Sequence, residues 1–248
     1  MGGDGAAARV AGRVLIAPGR LPMGEGTGEG DRVARLIESQ RTFYDLRAPD
    51  FGDEAVPDRR VSGMMARELA RALVDEFAPT GDVLELACGS GSFTRELVRH
   101  ARTVTAVDGS HRMLERNRRE VGDSKVTYVD ADLFDWRPDR RYDAVFFGFW
   151  LSHVPPVIFD EFWALVRSSL RAGGRVAFVD EDDRGTTNDD IHLVDNVPAA
   201  PRTLRDGRTF DVVKVYWDPT ELRDRLSSLG WQVAVRRVGE SFLYGTGT

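Results

Sequence analysis

Residues 82–91, Asp-Val-Leu-Glu-Leu-Ala-Cys-Gly-Ser-Gly, decide which fold this chain can adopt. Val83, Leu84 and Leu86 form a short apolar run between glycines, which is typical of a buried parallel strand. The turn at 88–91 leads into residues 92–99, whose apolar spacing predicts a helix. A strand, a glycine turn and a helix bring the backbone close to a ligand and aim free N–H groups at it. The sequence therefore predicts an α/β fold with a ligand site at this turn.

The turn differs from two common nucleotide-binding motifs. A dinucleotide fingerprint would need a glycine where Thr94 stands, and the Lys-Ser/Thr of a P-loop is missing as well. The acid inside the strand, Glu85, would repel a phosphate and suits a ligand that carries positive charge. Glu-x-Ala-Cys-Gly-Ser-Gly resembles motif I of the class I S-adenosylmethionine-dependent methyltransferases, whose cofactor carries a sulfonium and an ammonium. The resemblance implies S-adenosylmethionine (SAM) as cofactor and S-adenosylhomocysteine (SAH) as product.

Further segments follow in the order that this family shows. A second strand ends at Asp108, a third covers residues 125–129, and a fourth covers 142–147. Two glycines precede a fifth strand at 175–179, Asp218 caps a late helix, and residues 231–244 resemble a terminal hairpin. The resemblance implies a Rossmann-like class I methyltransferase fold. Such a fold has a seven-stranded, mostly parallel sheet with a C-terminal antiparallel hairpin and helices on both faces.

Composition divides the chain into three expected parts. Residues 1–30 are rich in Gly and Ala and predict disorder or a leader segment. Residues 31–78 predict an N-terminal helical cap, and residues 79–248 the SAM-binding methyltransferase domain. The polar stretch 186–209 is long for a structureless loop, so we expect it to be functional or partly helical.

Several residues are candidates for holding the cofactor. Asp108, at the carboxyl end of the second strand, is placed to accept hydrogen bonds from both ribose hydroxyls. The resemblance implies that Asp132 accepts from the adenine amino group and that the Leu133 N–H binds a ring nitrogen; Asp130 is the alternative to Asp132. Tyr44 can reach the methionine carboxylate or simply pack a helix end. The remaining predicted cofactor-binding residues are Glu85, Ala87, Gly89, Gly91, Gly109, Met113 and Phe147.

The acceptor side is predicted from the end of the fourth strand. Residues 147–150 read Phe-Gly-Phe-Trp where methyltransferases acting on base or amide nitrogens often carry Asn/Asp-Pro-Pro-Tyr, which favours a small, partly hydrophobic acceptor. His153 is the candidate general base, or else a histidine that shapes the pocket; His192 is a second candidate. Trp150, His153 and Glu181 are predicted to bind the acceptor. Three alternatives are open for the acidic run 180–183: it lines the acceptor pocket, holds a metal or forms a solvated turn. No residue is assigned as a metal ligand.

Bulk composition excludes several classes of protein. A net charge of −6 over 248 residues argues against a nucleic-acid-binding surface. One cysteine, Cys88, excludes an internal disulfide and a cysteine-cluster metal site. No apolar run is long enough for a membrane span and no apolar leader is evident, so a cytoplasmic monomer or homodimer without membrane partner is expected.

The combined motifs predict an enzyme that transfers a methyl group from SAM to an oxygen, nitrogen or carbon of a small-molecule acceptor, in specialised metabolism. Two alternatives stay open: a methyltransferase acting on protein or RNA, and a non-catalytic SAM-binding module. A nicotinamide oxidoreductase is a rival by fold analogy only, and the missing third glycine counts against it.

Overall fold

The main sheet has seven strands, and its parallel strands end along one edge where the candidate site lies. The computed structural model describes residues 30–51, 63–184 and 189–248, so apart from Gly30 the predicted leader lies outside the described residues. The strands are β1 Asp82–Leu86, β2 Thr103–Asp108, β3 Val126–Asp130, β4 Tyr142–Gly148, β5 Leu170–Glu181, β6 His192–Val194, β7 Val197–Thr203, β8 Thr209–Val213, β9 Val233–Val238 and β10 Phe242–Gly247. The sheet order is β3-β2-β1-β4-β5-β10-β9, with β10 antiparallel to β5 and β9. This confirms the predicted class I methyltransferase fold.

Helices cover both faces of this sheet. They are α1 Gly30–Arg47, α2 Gly63–Phe77, α3 Thr94–Leu97, α4 His111–Val121, α5 Phe159–Ser169 and α6 Pro219–Ser228. Neighbouring residues of β1 enter opposite core layers: Leu84 packs in the layer of α5 and α6, whereas Val83 packs in the layer of α2 to α4. This alternation follows from the two-residue period of a strand and decides which side chains can reach the site.

The late elements agree with the prediction, and two boundaries shift. The Asp218 Oδ1 atom accepts hydrogen bonds from the Thr220 and Glu221 N–H groups at 2.7 and 3.2 Å, which caps α6 as expected. The apolar spacing of residues 155–170 predicts a helix from Pro155, but the helix begins at Phe159, after a short 3₁₀ turn at Pro156–Ile158. The fifth strand is longer than predicted and already begins at Leu170.

The polar stretch after β5 forms a small antiparallel sheet, β6-β7-β8, so the partly helical alternative is wrong. Asp195 and Asn196 join β6 to β7 with φ values of 50° and 66°, the left-handed conformation that two-residue hairpin turns require. Helix α1 packs on this sheet through Val33 and Leu36, which meet Val213. We refer to α1 and β6-β7-β8 together as the cap.

The predicted cap of residues 31–78 divides in the structure. Helix α1 covers the carboxyl edge of the sheet, whereas α2 buries Leu73, Val74 and Phe77 in the core layer that contains Val83. The reason is that α2 has a continuous apolar stripe suited to a sheet face. Within the described ranges, none of the helices is both long and apolar enough to cross a membrane.

Candidate active site

A cavity of about 340 Å³ opens at the carboxyl ends of the parallel strands. The strand order reverses between β1 and β4, the place where open α/β sheets form their ligand crevice. One half of the cavity lies over β1 to β3 and is lined by residues 87–90, 92–93, 108–110, 113 and 132–134; we call it the β1–β3 half. The other, the β4–β5 half, is lined by the end of β4, the end of β5 and the cap.

The glycine turn presents strained backbone to the β1–β3 half. Ala87 has φ of 51°, a left-handed conformation that is uncommon for a residue with a side chain, and Gly89 has the same value. Such strain is typical of functional sites. Ala87 and Gly89 both line the cavity. Gly91, at φ of 95°, packs behind the turn, where an added Cβ would lie 2.6 Å from the Asn117 Oδ1 atom.

Asp108 lies at the carboxyl end of β2, and the turn fixes its carboxylate. Its Oδ2 atom accepts from the Gly89 N–H and its Oδ1 atom from the Ser110 N–H, both at 2.8 Å. Burial raises the pKa of the Asp108 carboxyl to about 6, although the hydrogen bonds from the two backbone N–H groups partly oppose this rise. A carboxylate aimed by two amides is suited to accept further hydrogen bonds from neighbouring hydroxyls.

The remaining lining of the β1–β3 half fits an adenosyl group. Met113 and Leu133 are 2% and 4% exposed and offer apolar surface for an aromatic ring. Asp132 accepts from the Phe134 N–H at 2.9 Å, which orients its carboxylate at the cavity wall. Gly109 lines the same wall. Two carboxylates for hydroxyl and amino donors, with apolar side chains between them, match the chemistry of adenosine.

Three residues predicted to bind the cofactor are not among the described residues that line the cavity: Glu85, Gly91 and Phe147. Glu85 is 1% exposed, and its Oε2 atom accepts a hydrogen bond from the Thr94 hydroxyl at 2.6 Å. Phe147 is fully buried and stacks on Phe178 at 5.4 Å between ring centroids. Strand alternation explains the positions of Glu85 and Phe147, whose side chains enter the core layers of the sheet, whereas Gly91 packs against Asn117 behind the turn.

Replacing the buried acid should make stability less dependent on pH. Burial, with the nearby Asp108 charge, raises the pKa of Glu85 to about 8, although the Thr94 hydrogen bonds oppose the shift. Between about pH 4.5 and 8 the folded chain therefore keeps a proton that the unfolded chain has lost, so stability falls as pH rises. The slope is about 1.4 kcal/mol per pH unit. Relative to the native chain, Glu85→Gln should gain unfolding free energy from pH 5 to 8 and then level off, as measured by urea unfolding.

The matched control for this experiment is Glu161→Gln, because Glu161 is exposed on α5. Its unfolding free energy should run parallel to that of the native chain over the whole range. Parallel curves for Glu85→Gln as well would contradict a protonated Glu85.

Tyr44 and His153 form a pair in the β4–β5 half. The His153 Nδ1 atom lies 2.7 Å from the Val213 carbonyl oxygen, which can only accept, so Nδ1 carries the hydrogen. The Nε2 atom then has a lone pair and accepts from the Tyr44 hydroxyl at 2.9 Å. Burial, with the nearby Lys214 charge, lowers the pKa of His153 to about 3. Both ring nitrogens are therefore engaged, and the imidazole is neutral at physiological pH.

Charged side chains surround this pair. Lys214 is 5% exposed, forms an ion pair with Glu181 and donates to the Ser152 hydroxyl at 3.1 Å. Arg202 of β7 forms a bidentate pair with Asp189 at 2.9 and 3.1 Å. Lys214, Glu181 and Arg202 all line the cavity. Trp150 lines it too, beside Phe134 at 5.5 Å between ring centroids.

The acidic run after β5 separates into different environments. Asp180 is buried and accepts from the Ser152 N–H at 2.9 Å, whereas Asp182 pairs with Arg184 and Arg237. Only Glu181 of this run lines the cavity, which agrees with the pocket-lining alternative for that residue. Within the described ranges, no group of three or more acidic, histidine or cysteine side chains could hold a metal ion.

The cap supplies residues that the sequence did not single out, above all Arg202 and Lys214. One feature of the sequence could have pointed to Lys214, since it is one of two lysines in a chain otherwise rich in arginine. Gln40 of α1 also lines the cavity, and its Nε2 atom donates to the His153 carbonyl oxygen at 3.2 Å. His192, the second candidate base, is exposed and pairs with Asp211 at 3.1 Å away from the cavity lining.

Comparison with known proteins identifies relatives of this chain. Residues 83–174 match the family model described as a methyltransferase domain. The DhpI–SAH complex is 42% identical over 86% of this chain and 96% of that chain, with a TM-score of 0.73. A DhpI–SAM–HEP complex is also 42% identical, covers 97% of that chain and has a TM-score of 0.74.

More distant curated relatives match less than half of this chain. The 23S rRNA (uracil(1939)-C(5))-methyltransferase RlmD of Francisella tularensis subsp. novicida is 24% identical over 45% of this chain. Demethylmenaquinone methyltransferase of Clavibacter sepedonicus is 39% identical over 38% of this chain. The matched stretches span 27% of the former protein and 38% of the latter.

The DhpI likeness covers nearly all of that protein at an identity well above what a shared fold alone produces. The match to the methyltransferase family model includes the glycine turn, and the lining of the cavity suits an adenosyl group. The relatives determined with SAM or SAH support SAM as the cofactor. This chain is accordingly a SAM-dependent methyltransferase and belongs to the class I family.

Proposed function

We propose that this enzyme methylates a small acceptor molecule on an oxygen that is already anionic, such as a carboxylate or phosphate-type oxygen. The observation that carries the proposal is the charge of the β4–β5 half. Arg47, Arg202 and Lys214 line it with the acid Glu181; Glu181 pairs with Lys214, and Asp189 pairs with Arg202 from outside the lining. Cationic side chains grouped in a partly closed cavity attract an anion, which can take the place of their acid partners.

The Tyr44–His153 pair supports an acceptor that needs no deprotonation. His153 already accepts a hydrogen bond at Nε2, and its pKa of about 3 makes it a weak base. Because the Tyr44 hydrogen points to His153, the Tyr44 oxygen keeps lone pairs that can accept from an acceptor hydroxyl or amine. His153 is thus a positioning residue for Tyr44 in this proposal, which is the pocket-shaping alternative from the sequence.

The protein contributes position and charge to the reaction. Lys214 and Arg202 hold the acceptor oxyanion, and the cap keeps water away from the reacting atoms. SAM supplies a methyl carbon activated by its sulfonium: the acceptor oxygen bonds to that carbon while the carbon–sulfur bond breaks, which leaves SAH and a methyl ester. The comparison with DhpI adds support, since a structure of that relative contains SAM together with HEP.

An acceptor screen with matched pairs tests the proposal. Small carboxylates and phosphate monoesters are incubated with SAM and enzyme beside the corresponding neutral amides, alcohols and amines, and SAH formation and product mass are followed. We expect turnover for one or more anionic members and none for their neutral partners. The rate with an anionic acceptor should not fall between pH 8 and pH 6 through any histidine titration, because His153 is already neutral over this range.

Three results would overturn the proposal. Turnover of neutral amines or alcohols in preference to the anions would assign a different acceptor class. Methylation of ribosomal RNA or of protein, with all small molecules inactive, would favour a macromolecular acceptor. Binding of SAM without turnover of any substrate in either set would favour a non-catalytic SAM-binding module.

A further inference from the structure

Four polar side chains, three of them buried and one (Tyr128) half-buried, form a continuous hydrogen-bonded chain behind the glycine turn. The Tyr128 hydroxyl donates to the Asn117 Oδ1 atom at 3.1 Å, and the Asn117 Nδ2 atom donates to the Thr94 hydroxyl at 2.8 Å. Thr94 donates in turn to Glu85 at 2.6 Å. Each of these residues comes from a different element: β3, α4, α3 and β1. None of the four is among the described residues that line the cavity.

Asn117 connects this chain to the backbone of the turn. Its Nδ2 atom also lies 3.3 Å from the Gly89 carbonyl oxygen and donates to it. On the cavity side, the Gly89 N–H donates to Asp108 at 2.8 Å. The peptide groups on both sides of Gly89 are therefore held, one by the carboxylate in the cavity and the other by the amide behind it.

The space behind the turn is tightly packed. An added Cβ at Gly91 would lie 2.6 Å from Asn117 Oδ1 and 2.9 Å from a Val121 methyl carbon. Asn117 itself is fully buried. A buried amide is unfavourable unless its donors and acceptor are paired, and an apolar residue of α4 would have filled the same layer without that requirement. The hydrogen bonds that Asn117 makes to the turn explain why a polar residue occupies this buried position.

The partners also determine which way the amide faces. The Gly89 carbonyl oxygen can only accept, so the amide nitrogen of Asn117 must face it, and the Tyr128 hydroxyl then donates to the amide oxygen on the other side. Thr94 accepts from Asn117 and uses its own hydrogen for Glu85. A reversed amide would place its oxygen against the Gly89 carbonyl oxygen, so only one orientation satisfies all four groups.

We propose that Asn117 is a positioning residue for the cofactor. It fixes the backbone of residues 89–91 in the conformation that receives SAM, and Tyr128, Thr94 and Glu85 fix the orientation of Asn117. A turn that is already ordered loses less conformational freedom on binding, so a ligand binds it more tightly. Asn117 acts through Gly89 and has no contact of its own with the ligand in this proposal. The inference concerns the cofactor only and is independent of the acceptor class proposed above.

The experiment measures SAH binding by titration calorimetry for Asn117→Asp and Asn117→Ala. The Asp variant keeps the volume and the oxygen that accepts from Tyr128 but replaces the donor with an oxygen facing the Gly89 carbonyl. We expect the Kd for SAH to rise about tenfold or more in both variants, which corresponds to about 1.4 kcal/mol. Leu226→Ala is the control, because Leu226 is fully buried on α6 in the opposite core layer. It should lower the melting temperature and leave the Kd within twofold.

A pH series separates positioning from simple loss of stability. In Asn117→Asp the buried carboxyl has a raised pKa and regains an O–H donor when it is protonated. The ratio of its Kd to that of the native enzyme should therefore shrink from pH 8 to pH 6, whereas the ratio for Asn117→Ala should stay constant. Tyr128→Phe removes only the hydroxyl that donates to the amide oxygen, so it should weaken SAH binding by a smaller factor. This variant tests the proposal even if the Asn117 variants do not fold. Kd values within twofold of native for all three variants would overturn the proposal.

Discussion

Replacing Asp108 with alanine should weaken SAM and SAH binding by about 100-fold or more. Each hydrogen bond from a ribose hydroxyl to a carboxylate contributes roughly 1.5–3 kcal/mol, and Asp108 is placed to accept two. Their sum, about 3 kcal/mol at the lower limit, corresponds to two powers of ten in Kd. Titration calorimetry with SAH measures the effect directly and needs no acceptor. The loss of the Gly89 and Ser110 partners adds disorder in the turn, which acts in the same direction.

Asp130→Asn is the matched control for Asp108→Ala. Asp130 ends the neighbouring strand β3, but it is exposed and pairs with His111 at 3.0 Å. Its replacement should leave the Kd within about twofold. Unchanged affinity in Asp108→Ala would refute the ribose assignment.

The pKa of Asp108 gives the same experiment a pH dependence. Burial raises it to about 6, and the ionised form is the one that accepts from both hydroxyls. Affinity should therefore be constant above pH 7 and fall below pH 6, by up to about tenfold per pH unit. Asp108→Asn should bind weakly at every pH and show no such fall. A native affinity that stays level down to pH 4 would contradict the raised pKa.

Replacing Lys214 with methionine should abolish most acceptor turnover while the cofactor still binds. Lys214 is 5% exposed and lines the β4–β5 half beside Glu181. Truncating one partner of a buried charge-assisted contact costs about 2–4 kcal/mol, which predicts a loss of roughly 30- to 1,000-fold in kcat/KM for an anionic acceptor. SAH affinity should stay within about twofold, because the β1–β3 half is untouched. The measurement is steady-state kinetics with the acceptor found in the screen.

Two controls make this result specific. Lys125→Met changes the other lysine, whose Nζ atom donates to the Val98 carbonyl oxygen away from the cavity, and should leave kcat/KM unchanged. The double variant Lys214→Met/Glu181→Gln also removes the charge of the acid that loses its Lys214 partner in the single variant. If the double variant recovers activity, the loss came from the remaining Glu181 charge and the acceptor-binding role of Lys214 is refuted; continued inactivity supports that role.

Local chemistry was sufficient to predict the sheet and the part of the site nearest the glycine turn. The apolar run of β1, the acid at the end of β2 and the Asp218 cap of α6 are each determined by residues close in the chain. Asp108 could be placed because a strand end and a turn occur within a few residues of each other. The stretch 186–209 was harder, since its short strands are stabilised by packing on α1, which lies more than a hundred residues earlier.

The sequence by itself determined the family, the cofactor and the succession of strands and helices along the chain, because strand periodicity, turn glycines and helix caps are local properties. Only the tertiary structure decided which side chains face the cavity. Glu85 and Phe147 have the right positions along their strands but belong to the core, because alternate residues face opposite sides of a sheet. The Tyr44–His153 pair and the placing of Lys214 beside Glu181 join residues far apart in the chain, so their chemistry arises only when the cap closes over the sheet.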